Sequence, residues 1–560
     1  MSTNQEAEKN EINEITEESV NVAKSNDESK LLLKGATILA AAGIVSKIFG
    51  AILKIPLTNM IGANGISYYT VAYNIYQLLF VIATAGFPVA ISRMVSSRIA
   101  EEDYINAHKS YRLAMKFSSA LGVASFLLLF FGAGAIARAY NIPGAEASIR
   151  ALSLALLLTP MVASFRGYYQ GRQVMTPTAV TEVVEQMVRV AVGLSLAYMF
   201  YKTNLEMASA GATFGASAGI TAAFIVMLFI YLRDKKNRAE MHAASIKREE
   251  KEGDRFKELL SFLIPITIGA AVLPIMFNID SAIVVRRLMA TGWDRKTSEA
   301  LFGLMGGYCD PIINLPNIFI DAICISLMPA ITAAFTLKNK ARLDEHLKTG
   351  LKTMMIIAYP CTVGLIVLAK PILTMLFYKK YDEAVMAVPT MQILSLVIVT
   401  GAIMRTFATS LQGVGHMMLP VRNLVLGVII KAVVSYSLIG IHSININGAP
   451  TGTVIAYITA GLLNYRDLKK YADVSIDFKA VLLKPFIAAF IMGAATIVAY
   501  KLSFTVLGSN TLAVLISMIA AVLVYFVTVF KTGAVTKDDI VLIPKGELIY
   551  KFALKMKITK

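Results

Sequence analysis

Fourteen long apolar runs constrain this chain more than any other feature of its sequence. A helix needs about 20 apolar residues to cross a hydrocarbon core of about 30 Å, and soluble cores do not supply fourteen stretches of that length. Only 16% of the 560 residues are charged, against roughly a quarter in soluble domains. We therefore predict an all-α polytopic membrane protein with 14 transmembrane helices. The runs are 33–56, 67–90, 114–137, 148–168, 178–201, 208–232, 258–284, 302–334, 349–369, 385–411, 419–441, 448–465, 480–500 and 509–530.

A charged stretch separates the first six runs from the next six. This spacing predicts two six-helix lobes followed by two extra C-terminal helices. Because the stretch carries charges of both signs, we expect a solvated connector that makes few contacts with either lobe. The predicted regions are an acidic disordered cytoplasmic tail at 1–30, an N-lobe at 31–232, the charged cytoplasmic linker at 233–257, a C-lobe at 258–465, the thirteenth and fourteenth spans at 466–531, and a basic cytoplasmic tail at 532–560.

Matched positions indicate that the two lobes are repeats of one another. Gln170 and Gln412, each followed by glycine, come just after the fourth and tenth runs and lie 242 residues apart. Arg189 in the fifth run and Lys431 in the eleventh are separated by the same 242 residues. Each lobe has an even number of spans, so the repeats are parallel and the substrate is expected to bind between them.

The distribution of lysine and arginine predicts the orientation. With the N-terminus inside, the inner loops and the C-terminal tail hold 35 basic residues, whereas the outer loops hold 11. Basic loops remain on the cytoplasmic side of a membrane. We therefore expect a multi-pass protein of the cytoplasmic (plasma) membrane with both termini inside. The chief exception is an outer cluster, Arg286, Arg287, Arg295 and Lys296.

We single out nine ionisable side chains inside the runs, where each costs about 2.5–3.5 kcal/mol to insert and usually faces a cavity or a partner. The cations are candidate substrate-binding residues, because a cationic wall suits an anionic group such as a pyrophosphate. They are Lys47, Lys54, Arg189 and Lys431. The acids are candidates for coupling or gating, because a carboxylate can take up a coupling H⁺ or Na⁺. They are Glu182, Glu185, Asp280, Asp310 and Asp321.

Four of these positions also have a simpler structural interpretation. Glu185 and Arg189 are one turn apart on the same helical face and could form an ion pair. Lys54 could extend its ammonium group to the outer interface. Asp280 could pair with a nearby cation such as Arg286.

The eighth run contains a bent polar stretch that ends at Asp310 and Pro311. Proline lacks an N–H and bends a helix. At membrane depth such a stretch must line water or protein, not lipid.

Missing motifs exclude several classes of activity. The chain has no Gly-Lys dipeptide and hence no nucleotide-binding P-loop. It has no metalloprotease motif, and no serine-hydrolase or dinucleotide-binding motif that opens a helix after a strand. Its three cysteines all lie in apolar stretches, which indicates neither a disulfide framework nor a metal cluster. We expect a secondary transporter or flippase, not an enzyme, with no cofactor beyond a coupling H⁺ or Na⁺ and no nucleic-acid partner.

Several segments resemble the MurJ-like lipid II flippases and the SpoVB branch of the same family, within the multidrug/oligosaccharidyl-lipid/polysaccharide exporter superfamily. The resemblance covers about residues 31–531, and the segments that carry it are 46–50, 61–65, 84–88, 165–171, 175–179, 279–288 and 308–329. It implies two lobes around a central cavity that opens alternately to either side, in a bacterial membrane. It also implies that cations in the cavity hold the pyrophosphate of an undecaprenyl-linked sugar.

The resemblance carries over to individual positions only in part. Lys47 matches a basic position of the first-span motif, and Asp310 matches an acid of the eighth span. Leu53 and Lys54 stand where better-known members have an Arg-Asp pair. The second-span arginine of those members falls near Phe80 of this chain, and the arginine that follows their eighth-span acid is Pro311 here. Lys47 and Lys54, with Arg189 and Lys431, would have to replace those cations.

The expected partners are a lipid-linked anionic oligosaccharide, the phospholipid membrane and cell-wall synthesis proteins. The first hypothesis is a flippase for the peptidoglycan precursor lipid II. The second is a flippase for another polyprenyl-linked oligosaccharide, such as a capsule or teichoic-type precursor. The third is a multidrug/ion antiporter, against which the first-span lysines count.

We predict that Lys47→Ala loses most transport, because a charge-assisted bond to phosphate in a desolvated site is worth about 1.5–3 kcal/mol. Lys47→Arg should retain part of the activity, since the charge survives while its geometry changes. Lys54→Ala should be milder if its side chain reaches the interface. Flipping in vesicles is the measurement, with the four outer cations neutralised as a control. Normal flipping by Lys47→Ala would contradict a central phosphate site.

Overall fold

The computed structural model describes residues 42–43, 45–46, 48–50, 52–246 and 248–535, and every regular element within these ranges is helical. Twelve helices in this part of the chain are long and apolar enough to span a membrane. The predicted all-α membrane architecture is therefore confirmed. The count of fourteen stays a prediction, because the twelve include residues 48–100 as one segment and omit the helix at 448–472. The predicted acidic tail and most of the basic tail lie outside the described residues.

The helices have the following bounds. The first half comprises α1 at 52–84, α2 Phe87–Ala100, α3 Tyr104–Ala139, α4 Glu146–Gly171, α5 Thr176–Phe200, α6 Leu205–Arg233 and the short α7 Lys235–Ala243. The second half comprises α8 Glu252–Ala290, α9 Arg295–Gly303, α10 Asp310–Thr336, α11 Lys340–Val367, α12 Ala369–Leu376, α13 Tyr381–Met386, α14 Val388–Gly413, α15 Met418–Ile439 and α16 Gly448–Ala472. The last two helices are α17 Lys484–Leu507 and α18 Asn510–Lys531, and a π-helical turn, Leu304–Cys309, joins α9 to α10.

Short polar side chains begin several of these helices. Asp103 accepts a hydrogen bond from the third backbone N–H of α3 at 3.1 Å, and Asn204 does the same for α6 at 3.0 Å. Asp294 and Asn339 cap α9 and α11 in the same way. Each cap satisfies an N–H that has no partner within its helix, which stabilises the helix by about 1 kcal/mol.

The first two predicted spans meet at Gly62, which lies within α1 and has a φ of +65°. Glycine adopts this left-handed conformation without steric cost. Thr58, four residues before Gly62, donates a hydrogen bond to the Gly307 carbonyl, and Ile66, four residues after Gly62, packs against the same glycine. The chain therefore reverses direction at Gly62, and α1 is a helical hairpin of two arms.

Helices pack mainly within the two halves of the chain. In the N-lobe (α1–α6), α5 packs on α6 and α4 packs on both α3 and α6. In the C-lobe (α8–α16), α15 packs on α16 and α14 packs on both α11 and α16. The last two helices pack against each other, and α17 lies on α11. The structure thus has the predicted lobes and the extra C-terminal pair.

A stripe of glycines on α6 explains the close packing of α5 and α6. Gly211, Gly215 and Gly219 follow one another at every fourth residue and share one face of the helix. A methyl group at Gly215 or Gly219 would overlap the backbone carbonyl of Arg189 or of Glu185, both on α5. Small residues at this spacing let two helix backbones approach closely within a membrane. The stripe thereby fixes where Arg189 stands in the bundle.

The linker is fastened to the N-lobe, and the expectation of few contacts is wrong. Arg98, at the end of α2, pairs with Glu250 at 3.0 Å and with Glu258 at 2.7 Å. The amide of Asn106 on α3 donates to the Arg248 carbonyl at 2.9 Å. The charge of these linker residues predicted that they would be solvated. They are instead bound to the N-lobe, because Arg98 at the end of α2 and Asn106 at the start of α3 form hydrogen bonds with them.

We predict that Arg98→Ala releases the linker. The Arg98 side chain is 9% exposed but its two partner carboxylates are about one-third exposed, so the loss should be about 1–2 kcal/mol, or roughly tenfold faster cleavage of the linker by a protease. Lys116→Ala is the matched control, because Lys116 pairs with Glu252 only at 4.0 Å and on the surface. Equal cleavage of both variants would show that linker docking is independent of Arg98.

Candidate functional site

A cavity of about 630 Å³ lies between the lobes and is lined by both of them. Of the nine residues singled out from the sequence, five contribute to its lining. They are Lys54, Arg189, Asp280, Asp310 and Asp321. Lys47 lies outside the described residues. The structure therefore brings most of the predicted charges to one place, although they come from four different helices of the chain.

Lys54 lies on the first arm of α1 and faces the cavity. Its ammonium group donates a hydrogen bond to the Gly306 carbonyl at 3.2 Å. Gly306 belongs to the π-helical turn, where the wider backbone leaves carbonyl groups outside the regular hydrogen-bond pattern. No carboxylate in the described part of the chain forms an ion pair with Lys54. The interpretation that its ammonium reaches the outer interface is wrong, because this carbonyl holds it in the cavity wall.

Arg189 lies on α5 and is held by two tyrosines of α1. Its guanidinium donates to the Tyr69 hydroxyl at 3.1 Å and to the Tyr73 hydroxyl at 3.4 Å, and it lies 5.0 Å from the centre of the Tyr73 ring. The proposed ion pair with Glu185 is wrong, because Glu185 pairs with Arg166 at 3.0 Å. Arg189 forms no ion pair within the described ranges.

The two glutamates of α5 lie apart from this site. Neither Glu182 nor Glu185 is among the residues that line the cavity. Glu185 is neutralised by Arg166, which comes from the last part of α4. The spacing of Glu185 and Arg189 in the sequence could not reveal this, because the competing arginine belongs to a different helix. The suggested coupling role of both glutamates stays a prediction.

Lys431 and Asp280 form a buried ion pair beside the cavity. The Lys431 ammonium lies 2.6 Å from Asp280 Oδ2 and 3.4 Å from the Met276 carbonyl, and its side chain is completely buried. Asp280 reaches the cavity, whereas Lys431 stands behind it. Lys431, and not Arg286, is therefore the partner of Asp280. In this conformation Lys431 neutralises an acid and does not face the cavity.

Arg405 is a cavity residue that the sequence analysis missed. It lies on α14, pairs with Asp321 at 2.9 Å and donates to the Asn317 side-chain carbonyl at 3.4 Å. Counting basic residues by loop assigned it to the inner loop after the tenth span. The signal that could have found it is its position inside the apolar run 385–411, six residues before the run ends.

The bent stretch before Asp310 faces protein, as predicted. All residues of the turn Leu304–Cys309 are buried. Gly303, just before the turn, lies so close to α1 that a methyl group there would overlap the Ala63 carbonyl. Asp310 and Pro311 follow the turn and reach the cavity. This turn is therefore the element that brings the C-lobe against the α1 hairpin.

The lobes meet in a closed seam at the end of the bundle opposite the linker. Glu383, on α13, accepts a hydrogen bond from the Ala63 N–H at 2.7 Å and another from the Tyr308 hydroxyl. Asn59 donates to the Leu376 carbonyl at 2.8 Å. These bonds join the tip of the α1 hairpin to the C-lobe, so Glu383 bridges both halves where the cavity ends.

Comparison with known proteins places the chain among membrane transporters. The family model described as polysaccharide biosynthesis protein matches residues 32–335, and one described as MatE matches residues 306–437. Lipid II flippase MurJ of Bacillus subtilis (strain 168) is 28% identical over 495 residues, which cover 86% of this chain and 90% of that protein. Stage V sporulation protein B of the same organism is 24% identical over 527 residues, which cover 93% of this chain and 99% of that protein.

Solved structures agree on the fold. An inward-facing multidrug resistance MATE family transporter aligns with a TM-score of 0.64 at 13% identity, over 78% of this chain and 98% of its own. Lipid II flippase MurJ in an inward closed conformation aligns with a TM-score of 0.64 at 18% identity, over 88% of this chain and 98% of its own. The resemblance drawn from the sequence motifs is confirmed.

We predict that Glu383→Ala opens the seam. The buried Ala63 N–H would lose its acceptor, which costs about 1–3 kcal/mol. A cysteine placed at the cavity residue Asn314, in a cysteine-free background, should then react at least five times faster with an impermeant thiol reagent added from the seam side. Asp382→Ala, at an exposed position of the same helix, should change nothing. If the two variants label alike, Glu383 does not hold the seam.

Proposed function

Because the chain belongs to the polysaccharide biosynthesis protein family, we propose that it moves an undecaprenyl-pyrophosphate-linked saccharide across the membrane by alternating access. We propose further that this substrate is lipid II, the peptidoglycan precursor. The finer proposal is supported by similarity along most of the chain to a lipid II flippase. The role requires a polar site at membrane depth, a route to either side and a cation for the pyrophosphate.

The observation that carries the proposal is the pair of cations that enter the cavity without a carboxylate partner among the described residues. Lys54 is held by a carbonyl, and Arg189 is held by two hydroxyl groups. Neutral acceptors stabilise a cation without forming an ion pair with it. An incoming phosphate can therefore pair with both donors through charge-assisted hydrogen bonds.

The two residues suit different parts of such a group. The Arg189 guanidinium presents several N–H donors in a plane, which matches two phosphate oxygens at once. The Lys54 ammonium is a compact charge on a flexible stem, which can follow a phosphate as the lobes move. Together they suit a pyrophosphate better than a single anion, because that group offers two charged centres.

The choice between lipid II and another polyprenyl-linked oligosaccharide depends on the sugar. Depletion of the protein in its own host, followed by identification of the lipid-linked precursor that accumulates on the inner leaflet, decides between them. Accumulation of lipid II supports the finer proposal. Accumulation of a different lipid-linked sugar would replace lipid II by that sugar and retain the flippase. A multidrug antiporter is disfavoured, because cationic drugs would meet Lys54 and Arg189 at the cavity wall.

We predict that Lys54→Ala and Arg189→Ala each lower flipping of fluorescent lipid II in proteoliposomes by about 10- to 100-fold, because each removes a charge-assisted bond worth about 1.5–3 kcal/mol. For Lys54 this replaces the milder effect expected from the sequence, since its ammonium lies in the cavity wall. The matched control is Lys202→Ala, an exposed cation at the end of α5. Wild-type turnover in both cavity variants would rule out a phosphate site here.

A further inference from the structure

The cavity has two walls with different charge. We call the lining from α1 and α5 the N-wall and the lining from α8 to α16 the C-wall. Among the described lining residues, the N-wall carries the cations Lys54 and Arg189 and no carboxylate. On the C-wall, Asp321 is paired with the single lining cation, Arg405, and Asp280 is paired with Lys431 behind it, which leaves Asp310 as the third carboxylate. A diphosphate is therefore attracted to the N-wall, whereas the C-wall offers it no unpaired cation.

The C-wall instead offers groups that suit a neutral polar ligand. Arg405 and Asp321 neutralise each other at 2.9 Å, and both stay partly exposed to the cavity, at 24% and 43%. Asn317 accepts from Arg405 at 3.4 Å and donates to the Asn314 side-chain carbonyl at 3.4 Å. This set of connected side chains contains a carboxylate, a guanidinium and two amides. It therefore provides hydrogen-bond donors and acceptors next to one another.

Sugar rings present the matching chemistry. Their hydroxyl and acetamido groups both donate and accept hydrogen bonds and carry no charge. A site built to hydrogen-bond such groups discriminates strongly against a ligand without them, because its own polar groups would then be left unpaired. A paired Arg405 and Asp321 can bind such a group without an uncompensated charge remaining in the cavity.

We propose that the C-wall is a saccharide subsite, in which Asn314, Asn317, Asp321 and Arg405 bind the sugar residues nearest the pyrophosphate while the N-wall binds the pyrophosphate itself. The proposal rests on the proposed function and adds to it the orientation of the substrate between the lobes. A substrate in this orientation bridges the two walls. Its sugar then determines specificity through the C-lobe, and its phosphates determine the general affinity through the N-lobe.

The test compares two ligands on the purified full-length protein. One is undecaprenyl pyrophosphate without sugar, and the other is lipid II. In the C-wall variants, Asn314→Ala with Asn317→Ala and, separately, Asp321→Asn with Arg405→Gln, affinity for lipid II should fall by about tenfold while affinity for the bare pyrophosphate is unchanged. In Arg189→Gln both affinities should fall together. The second C-wall variant replaces both members of the ion pair by uncharged side chains, so it leaves no buried charge behind.

The control is Asn237→Ala, an exposed amide on α7, which should bind both ligands as the wild type does. Equal loss of both ligands in the C-wall variants would overturn the subsite, because that wall would then act on the phosphate or on the fold. Unchanged binding of both would overturn it as well. Failure of the proposed function has a different signature, since the wild-type protein would then bind neither ligand.

Discussion

Hydrocarbon offers no partner to a hydrogen-bonding group or a charge, and this constraint governs the structure of the whole protein. It explains why every regular element of the described residues is a helix, since helices satisfy their backbone groups internally. It also explains where the ionisable side chains of the spans are. Of the eight that we singled out and the structure describes, all but Glu182 lie in the cavity between the lobes or form pairs inside a lobe.

The protein stabilises its intramembrane charges in two ways, by ion pairs and by neutral hydrogen-bond acceptors. Asp280 with Lys431, and Glu185 with Arg166, are ion pairs whose charges cancel. Removing one partner from a buried pair costs several kcal/mol, so these pairs hold helices in register. The cavity cations of the N-lobe are held by carbonyl and hydroxyl groups instead. No carboxylate among the described residues forms an ion pair with them, which is why we propose them as the phosphate-binding cations.

Polar contacts join the lobes at the two ends of the cavity and also beside it, where Asn74 of α1 bonds to Asn278 and Ser281 of α8. At one end the linker and the start of α8 are bound to Arg98 of the N-lobe. At the other end the α1 hairpin is bound to Glu383 and to the π-helical turn of the C-lobe. Both sets include hydrogen bonds and ion pairs, and buried apolar side chains of the two lobes pack together beside them.

The sequence by itself determined the helical spans, the division into lobes and most of the charges that face the cavity, because each depends on apolar run length or on the cost of a charge in lipid. Tertiary structure alone decided which charge meets which partner. Lys431 and its partner Asp280 are 151 residues apart in the sequence. Glu185 pairs with Arg166 of another helix and not with Arg189, although Arg189 is only one turn away on the same helix. Arg405 was missed because loop counting assigns a residue by its place along the chain, whereas its environment depends on how α14 packs against α10. A local sequence pattern determines that a segment forms a membrane-spanning helix. The partner of a charged side chain comes from a neighbouring helix, which no local pattern specifies.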